Sequence, residues 1–157
     1  MAYYIKKKKK TQQRACEGAK KRRKPDLVKK LDRVFALYIR LRDVMPNGYG
    51  RCISCGRIRH FSDLDCGHFY SRKHMGTRFD EDNCSAECKA CNRFSADHLI
   101  NYQTNLIRKI GMARFELLGV KAKRARKWDD FELEELIKHY TAEVRRLSAD
   151  RGINVSL

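Results

Sequence analysis

Four cysteines fall in two pairs, Cys52-x2-Cys55 and Cys88-x2-Cys91, with 32 residues between them. Two such knuckles offer four thiolates, the donor set of a closed tetrahedral zinc site, which has no open coordination position and therefore acts as scaffold. A redox role would need only one pair and a surrounding βαβ pattern, which neither pair has. The segment enclosed by the pairs contains "DLDCGHFY", and His68 within it is followed by Asn83 after 15 residues and by Asn92 after 9 more. An imidazole can accept a proton near neutral pH. A carboxamide oxygen is a hard donor suited to magnesium. Taken singly, His68 would more often be a packed or surface residue and Asn92 a helix cap. The informative feature is the joint register Asn83-x4-Cys88-x2-Cys91-Asn92, which ties zinc knuckle and candidate reactive positions together. Cys16, Cys66 and Cys84 read as packed or exposed bystanders, although Cys84 could compete for metal. His60, His98 and His139 have no comparable setting and read as ordinary histidines; His74 does too, with a phosphate contact as its alternative role.

These residues need elements to position them. Leu27, Leu31, Val34, Phe35, Tyr38, Leu41 and Val44 recur at helical spacing and predict an amphipathic helix from Asp26 to Val44, ended by "MPNGYG". Residues 51–96 carry six of the seven cysteines but too few apolar residues for a core of their own, so metal must supply what packing cannot. The stretch from Arg57 to Glu87 reads as two short strands, a long polar loop and the start of a helix. Beyond Ser95, Leu99, Tyr102, Leu106 and Ile110 predict a helix stopping at Gly111, and "MARFELL" a shorter one reaching Gly119. "VKAKRARK" reads as a basic linker. Asp129 and Glu132 form a capping-box pattern that opens a last helix with Leu133, Leu136, Ile137, Tyr140, Val144 and Leu147 inward. The expected organisation is a basic arm (1–24), an N-terminal helix (25–50), a zinc-bound core (51–96) and a C-terminal helical region (97–157).

The 157 residues carry a net charge of +17, unevenly distributed. Residues 1–24 hold eleven Lys and Arg against Glu17 alone, which leaves about +7 for the rest of the chain. A basic arm on a basic body favours a polyanion, and counterion release makes nucleic acid the leading partner rather than a membrane surface. No run approaches the roughly 18 apolar residues of a membrane-spanning helix, and the basic start lacks a signal peptide's apolar segment. The expectation is a cytosolic protein with reduced cysteines.

The strand–His68–loop–Asn83–CxxC–Asn92 order resembles the HNH (His-Me finger, ββα-metal) nucleases. That resemblance implies an α+β, mostly helical fold with a zinc-stabilised ββα-metal core flanked by helices. It implies His68 as the general base that deprotonates water, Asn92 as a ligand of a catalytic magnesium or manganese, and Asn83 as a brace for the histidine strand. Members of that class usually carry a metal-binding Asp or His directly before the base. Gly67 occupies that place here, so Asp65 becomes the candidate second ligand. Arg72, Lys73 and Arg78 in the adjoining loop, and Lys121, Lys123, Arg124, Arg126 and Lys127 in the linker, are the expected contacts to DNA phosphates. A wider resemblance runs through "FALYIRLRD", "CISCG", "DCGHF", "TRFDEDN", "NYQTNLIRKIG", Trp128 and "IKHYTAEVRRL", over roughly residues 30–148. These look like the lambdoid phage NinG (Rap) recombination family, and "DCGHF", with its glycine, belongs to that likeness. It implies a structure-specific endonuclease that cuts Holliday junctions and D-loops in the host cell, as a homodimer. The other readings are a general HNH nicking or restriction-like endonuclease and a non-catalytic zinc-stabilised DNA-binding module.

Overall fold

The computed structural model describes residues 26–95 and 97–157. The basic arm expected over residues 1–24, with Cys16, lies outside them. The architecture is mostly helical α+β, built from five helices and two small antiparallel sheets among the described residues.

Helix α1 (Leu27–Arg42) begins where Asp26 accepts a hydrogen bond from the Lys29 amide, and it buries Leu31, Val34, Phe35, Tyr38, Ile39 and Leu41. Its apolar stripe packs on the last helix, α5 (Asp130–Arg151), through Leu133, Ile137, Tyr140, Val144 and Leu147. Phe35 and Tyr140 meet nearly edge-on at 4.9 Å, an arrangement favoured by the ring quadrupoles. The capping box of α5 is present, with Asp129 accepting from the Glu132 amide and Glu132 reaching back to the Asp129 amide. Gly152 ends α5 in the left-handed conformation, where a side chain would be strained.

Strands β1 (Tyr49–Arg51) and β2 (Ile58–His60) form a hairpin whose loop carries Cys52 and Cys55. Strand β3 (Leu64–His68) pairs antiparallel with β4 (Cys84–Cys88), and α2 (Lys89–Phe94) follows at once. All five residues of β4 are buried because the β3–β4 hairpin is covered on both faces. Leu64, Cys66, Cys84, Ala86 and Cys88 join the α1–α5 core. On the other face, Gly67, Ser85 and Glu87 meet Tyr102, Lys109 and His98 of helix α3 (His98–Ile110). Helix α4 (Met112–Lys123) completes a second, smaller core of Tyr102, Leu106 and Leu118.

Two expectations need correction. Residues 57–87 run through three strands rather than two, and no α-helix starts within them: Cys84–Cys88 pairs with β3 and is buried along its whole length, and α2 begins only at Lys89. The basic linker is also shorter than expected, because α4 continues through Gly119 to Lys123. Gly119 lies where a Cβ would approach the Tyr70 hydroxyl at 3.3 Å, so close packing, rather than a helix stop, accounts for it.

Candidate functional site

The four knuckle sulfurs of Cys52, Cys55, Cys88 and Cys91 lie within 4.8 Å of one another. The Cys55–Cys88 separation is 3.9 Å, close to the roughly 3.8 Å edge of a tetrahedron with zinc–sulfur bonds of about 2.3 Å. This donor set fits a zinc ion. The Cys55 and Cys88 amides point at the Cys52 sulfur from 3.5 and 3.3 Å, the backbone donors expected around a thiolate. Ser54, inside the first knuckle, donates to Glu87, and Asn105 of α3 clamps the Ile53 carbonyl at 2.7 Å.

His68 ends β3 and is partly buried. Its Nε2 lies 3.2 Å from the Arg78 carbonyl and its Nδ1 lies 3.3 Å from the Cys66 carbonyl. A neutral ring can donate to only one of them and a protonated ring to both, so the two carbonyls together favour the charged ring. Burial disfavours the charged ring, but the Cys66 sulfur beside it outweighs that and holds the His68 pKa above its ordinary value. Cys66, His68 and Cys84 form a second group whose donor atoms lie within 4.8 Å, so two of the three cysteines expected to be bystanders adjoin the imidazole.

Asn83 is fully buried and acts as a brace. Its Oδ1 accepts from the Tyr70 amide at 2.8 Å, and its Nδ2 donates to the carbonyls of Tyr70 and Thr77, both at 2.9 Å. The side chain thereby closes both ends of the loop that follows His68.

Asn92 on α2 and His68 line one cleft together with Cys66, Phe69, Ser71, Arg72, His98 and Leu99. A second depression shares Cys66, Arg72 and Asn92 with it and adds Asp65 and Arg93. Asp65 reaches Asn92, whose Nδ2 donates to Oδ2 at 3.1 Å. Both Asp65 oxygens also accept from the Arg93 guanidinium, at 2.7 and 2.9 Å. Burial would raise the Asp65 carboxyl, yet Arg93 and Asn92 hold it below the usual carboxylate range. The ion pair thus makes Asp65 an orienting partner of Asn92 rather than an uncommitted metal donor.

The basic residues divide into two groups. Arg72, Lys73, Lys123, Arg124 and Lys127 are exposed, Arg72 at the cleft itself. Arg78 and Lys121 are partly buried and paired with acids, and Arg126, though exposed, is also held by an acid. Arg78 pairs with Asp32 through two nitrogens, Lys121 reaches Asp80 at 2.7 Å, and Arg126 pairs with Glu132 while covering the Trp128 ring. Arg78 therefore anchors the loop whose carbonyl meets His68.

Two residues passed over in the sequence stand beside the cleft. Glu87 is fully buried; its Oε1 accepts from Ser54 and lies 2.8 Å from His98 Nδ1, and its Oε2 has no partner among the described residues. An acid directly before a knuckle cysteine and a histidine at a helix start were the available signals, but neither indicates the other.

The family model for the Bacteriophage Lambda NinG protein matches residues 3–150. Protein ninG of Salmonella phage P22 is 30% identical over 102 residues, which cover 64% of this chain and 49% of that protein. Protein ninG of Escherichia phage 933W is 28% identical over 102 residues, with 64% and 50% covered, and that of Escherichia phage lambda is 28% identical, with 64% and 49% covered. The chain spans about half the length of these curated relatives. No solved structure matches. No described helix is long and apolar enough to cross a membrane. With nearly its whole length inside the family match, this chain belongs to the bacteriophage lambda NinG protein family.

Proposed function

We propose that the protein is a structure-specific DNA endonuclease of the HNH type, hydrolysing phosphodiesters in branched recombination intermediates such as Holliday junctions and D-loops. The observation that carries this reading is the cleft in which His68, Asn92 and Arg72 converge, on a strand–strand–helix unit framed by four zinc-suited cysteines. His68 takes the proton of the attacking water, and the Arg78 and Cys66 carbonyls orient its ring and favour the imidazolium that results. Asp65 keeps the Asn92 amide nitrogen occupied and leaves Asn92 Oδ1 as a hard donor for magnesium or manganese. That ion, when bound, would neutralise charge developing on the phosphate and the leaving 3′ oxygen. Arg72 is placed to clamp a backbone phosphate, while Lys73, Lys123, Arg124 and Lys127 supply attraction without sequence preference. A junction offers two symmetric strands, so a homodimer in the host cytoplasm is the proposed working form.

The test compares linear duplex with D-loop and four-way junction DNA at one salt concentration, with magnesium or manganese, for wild type and His68→Ala. Preferential junction cleavage, reduced at least about 100-fold in the variant, is expected. Equal cutting of all forms would indicate a general nicking endonuclease. Binding without any metal-dependent cleavage would indicate a DNA-binding module.

A further inference from the structure

Gly67 removes the side chain that would precede the proposed base, and the structure fills its place from the neighbouring strand. A Cβ built on Gly67 would overlap Glu87 Oε2, lie 2.9 Å from Glu87 Cβ and lie 3.1 Å from Tyr102 Cε2. Position 67 is therefore glycine because the Glu87 carboxylate occupies that volume. The carboxyl group is fully buried, and although its Oε1 is bonded, its Oε2 has no partner among the described residues, which is costly for a buried polar atom. It holds His98 Nδ1 at 2.8 Å, which fixes that ring's orientation and leaves Nε2 as its available nitrogen. His98 in turn lines the cleft with His68 and Asn92. A carboxylate gripping one nitrogen of an imidazole that lines a polar cleft is the arrangement by which proteins orient a metal-binding histidine.

We infer that His98, oriented by Glu87, is the ligand that replaces the missing side chain at position 67, completing with Asn92 the protein's hold on the divalent cation. This rests on the endonuclease reading and deepens it: Glu87 is a positioning residue, His98 a ligand, and Asp65 orients Asn92. Imidazole is a softer donor than carboxylate, so a site built on His98 binds manganese in preference to magnesium.

The test is manganese binding to zinc-loaded protein, read by electron paramagnetic resonance without DNA or turnover. Wild type is expected to bind one manganese with hyperfine coupling to an imidazole nitrogen. His68→Ala keeps that coupling. His98→Ala and His98→Gln lose it, and their affinity falls about tenfold or more. Glu87→Gln retains the coupling with weaker binding, because the amide still reaches the ring but carries no charge. Zinc content of one per chain and an unchanged far-ultraviolet circular dichroism spectrum establish that each variant is folded, and His98→Gln serves if His98→Ala is not. Coupling that survives loss of His98, or wild-type binding that Asn92→Ala weakens but that shows no imidazole coupling, overturns this inference and leaves the endonuclease reading standing. Failure of wild type to bind manganese at all overturns both.

Discussion

Gly67→Ala is a one-carbon change whose effect follows from a single crowded contact. The added Cβ overlaps Glu87 Oε2 and presses on Glu87 Cβ and Tyr102. A flexible exposed glutamate would swing aside, but Glu87 is fully buried and bonded to Ser54 and His98. Overpacking of this kind costs about 1–3 kcal/mol, and freeing a carboxylate from a hydrogen bond costs about 1.5–3 kcal/mol. Alanine returns about 0.5–1 kcal/mol by restricting the unfolded chain. The net expected loss is about 3–4 kcal/mol. In a Glu87→Ala background the carboxylate is gone but the Cβ at 2.9 Å and Tyr102 at 3.1 Å remain, so the same substitution should still cost about 1 kcal/mol, giving a coupling of about 2–3 kcal/mol. Glu87→Gln, which keeps the volume, should give no relief. Urea unfolding of zinc-saturated, reduced protein followed by Trp128 fluorescence measures all three backgrounds. Equal Gly67→Ala costs with and without the Glu87 side chain would refute the reasoning, because the crowding would then lie elsewhere.

Cys88→Ser should lower zinc from one per chain and unfold both hairpins, whereas Cys66→Ser should leave the zinc content at one; elemental analysis with circular dichroism checks this. Asp43 accepts from Arg42, from the Ala86 amide at 2.8 Å and from Lys109 at 3.0 Å. Burial would raise its pKa, but these partners lower it. Its stabilisation is therefore complete above the unfolded value of about 3.9 and is lost as pH falls through the lower folded value. Asp43→Asn should cost about 2–3 kcal/mol at pH 7, a difference that closes toward pH 2 in urea titrations of both proteins; a gap that did not narrow would contradict the assignment. Arg72→Ala should weaken DNA binding and reduce the salt slope by about one, while Arg78→Ala should instead lower stability through loss of Asp32, as fluorescence anisotropy and thermal melts would separate.

Features resting on local chemistry were legible in the sequence: helix α1 from its apolar stripe, the capping box at Asp129 and the four-cysteine donor set; the brace role of Asn83 came from the resemblance, and its partners Tyr70 and Thr77 appear only in the fold. Features that depend on which faces meet were not. Strand β4 was hidden because a segment covered on both sides shows no alternation. The Glu87–His98 contact arises from the β3–β4 register and the docking of α3, and no sequence periodicity reports it. Arg78, Lys121 and Arg126 resembled free phosphate contacts because their acidic partners Asp32, Asp80 and Glu132 become neighbours only in the folded chain.

The Asn83 side chain has a consequence for how such a protein can change. By bonding both polar backbone groups of Tyr70 and the Thr77 carbonyl, it staples the two ends of the intervening loop. Residues 71–74 project from that staple as exposed positions. Substitutions there can alter the surface beside the cleft while His68 stays in register, so under the proposed function DNA recognition and chemistry can evolve on separate schedules.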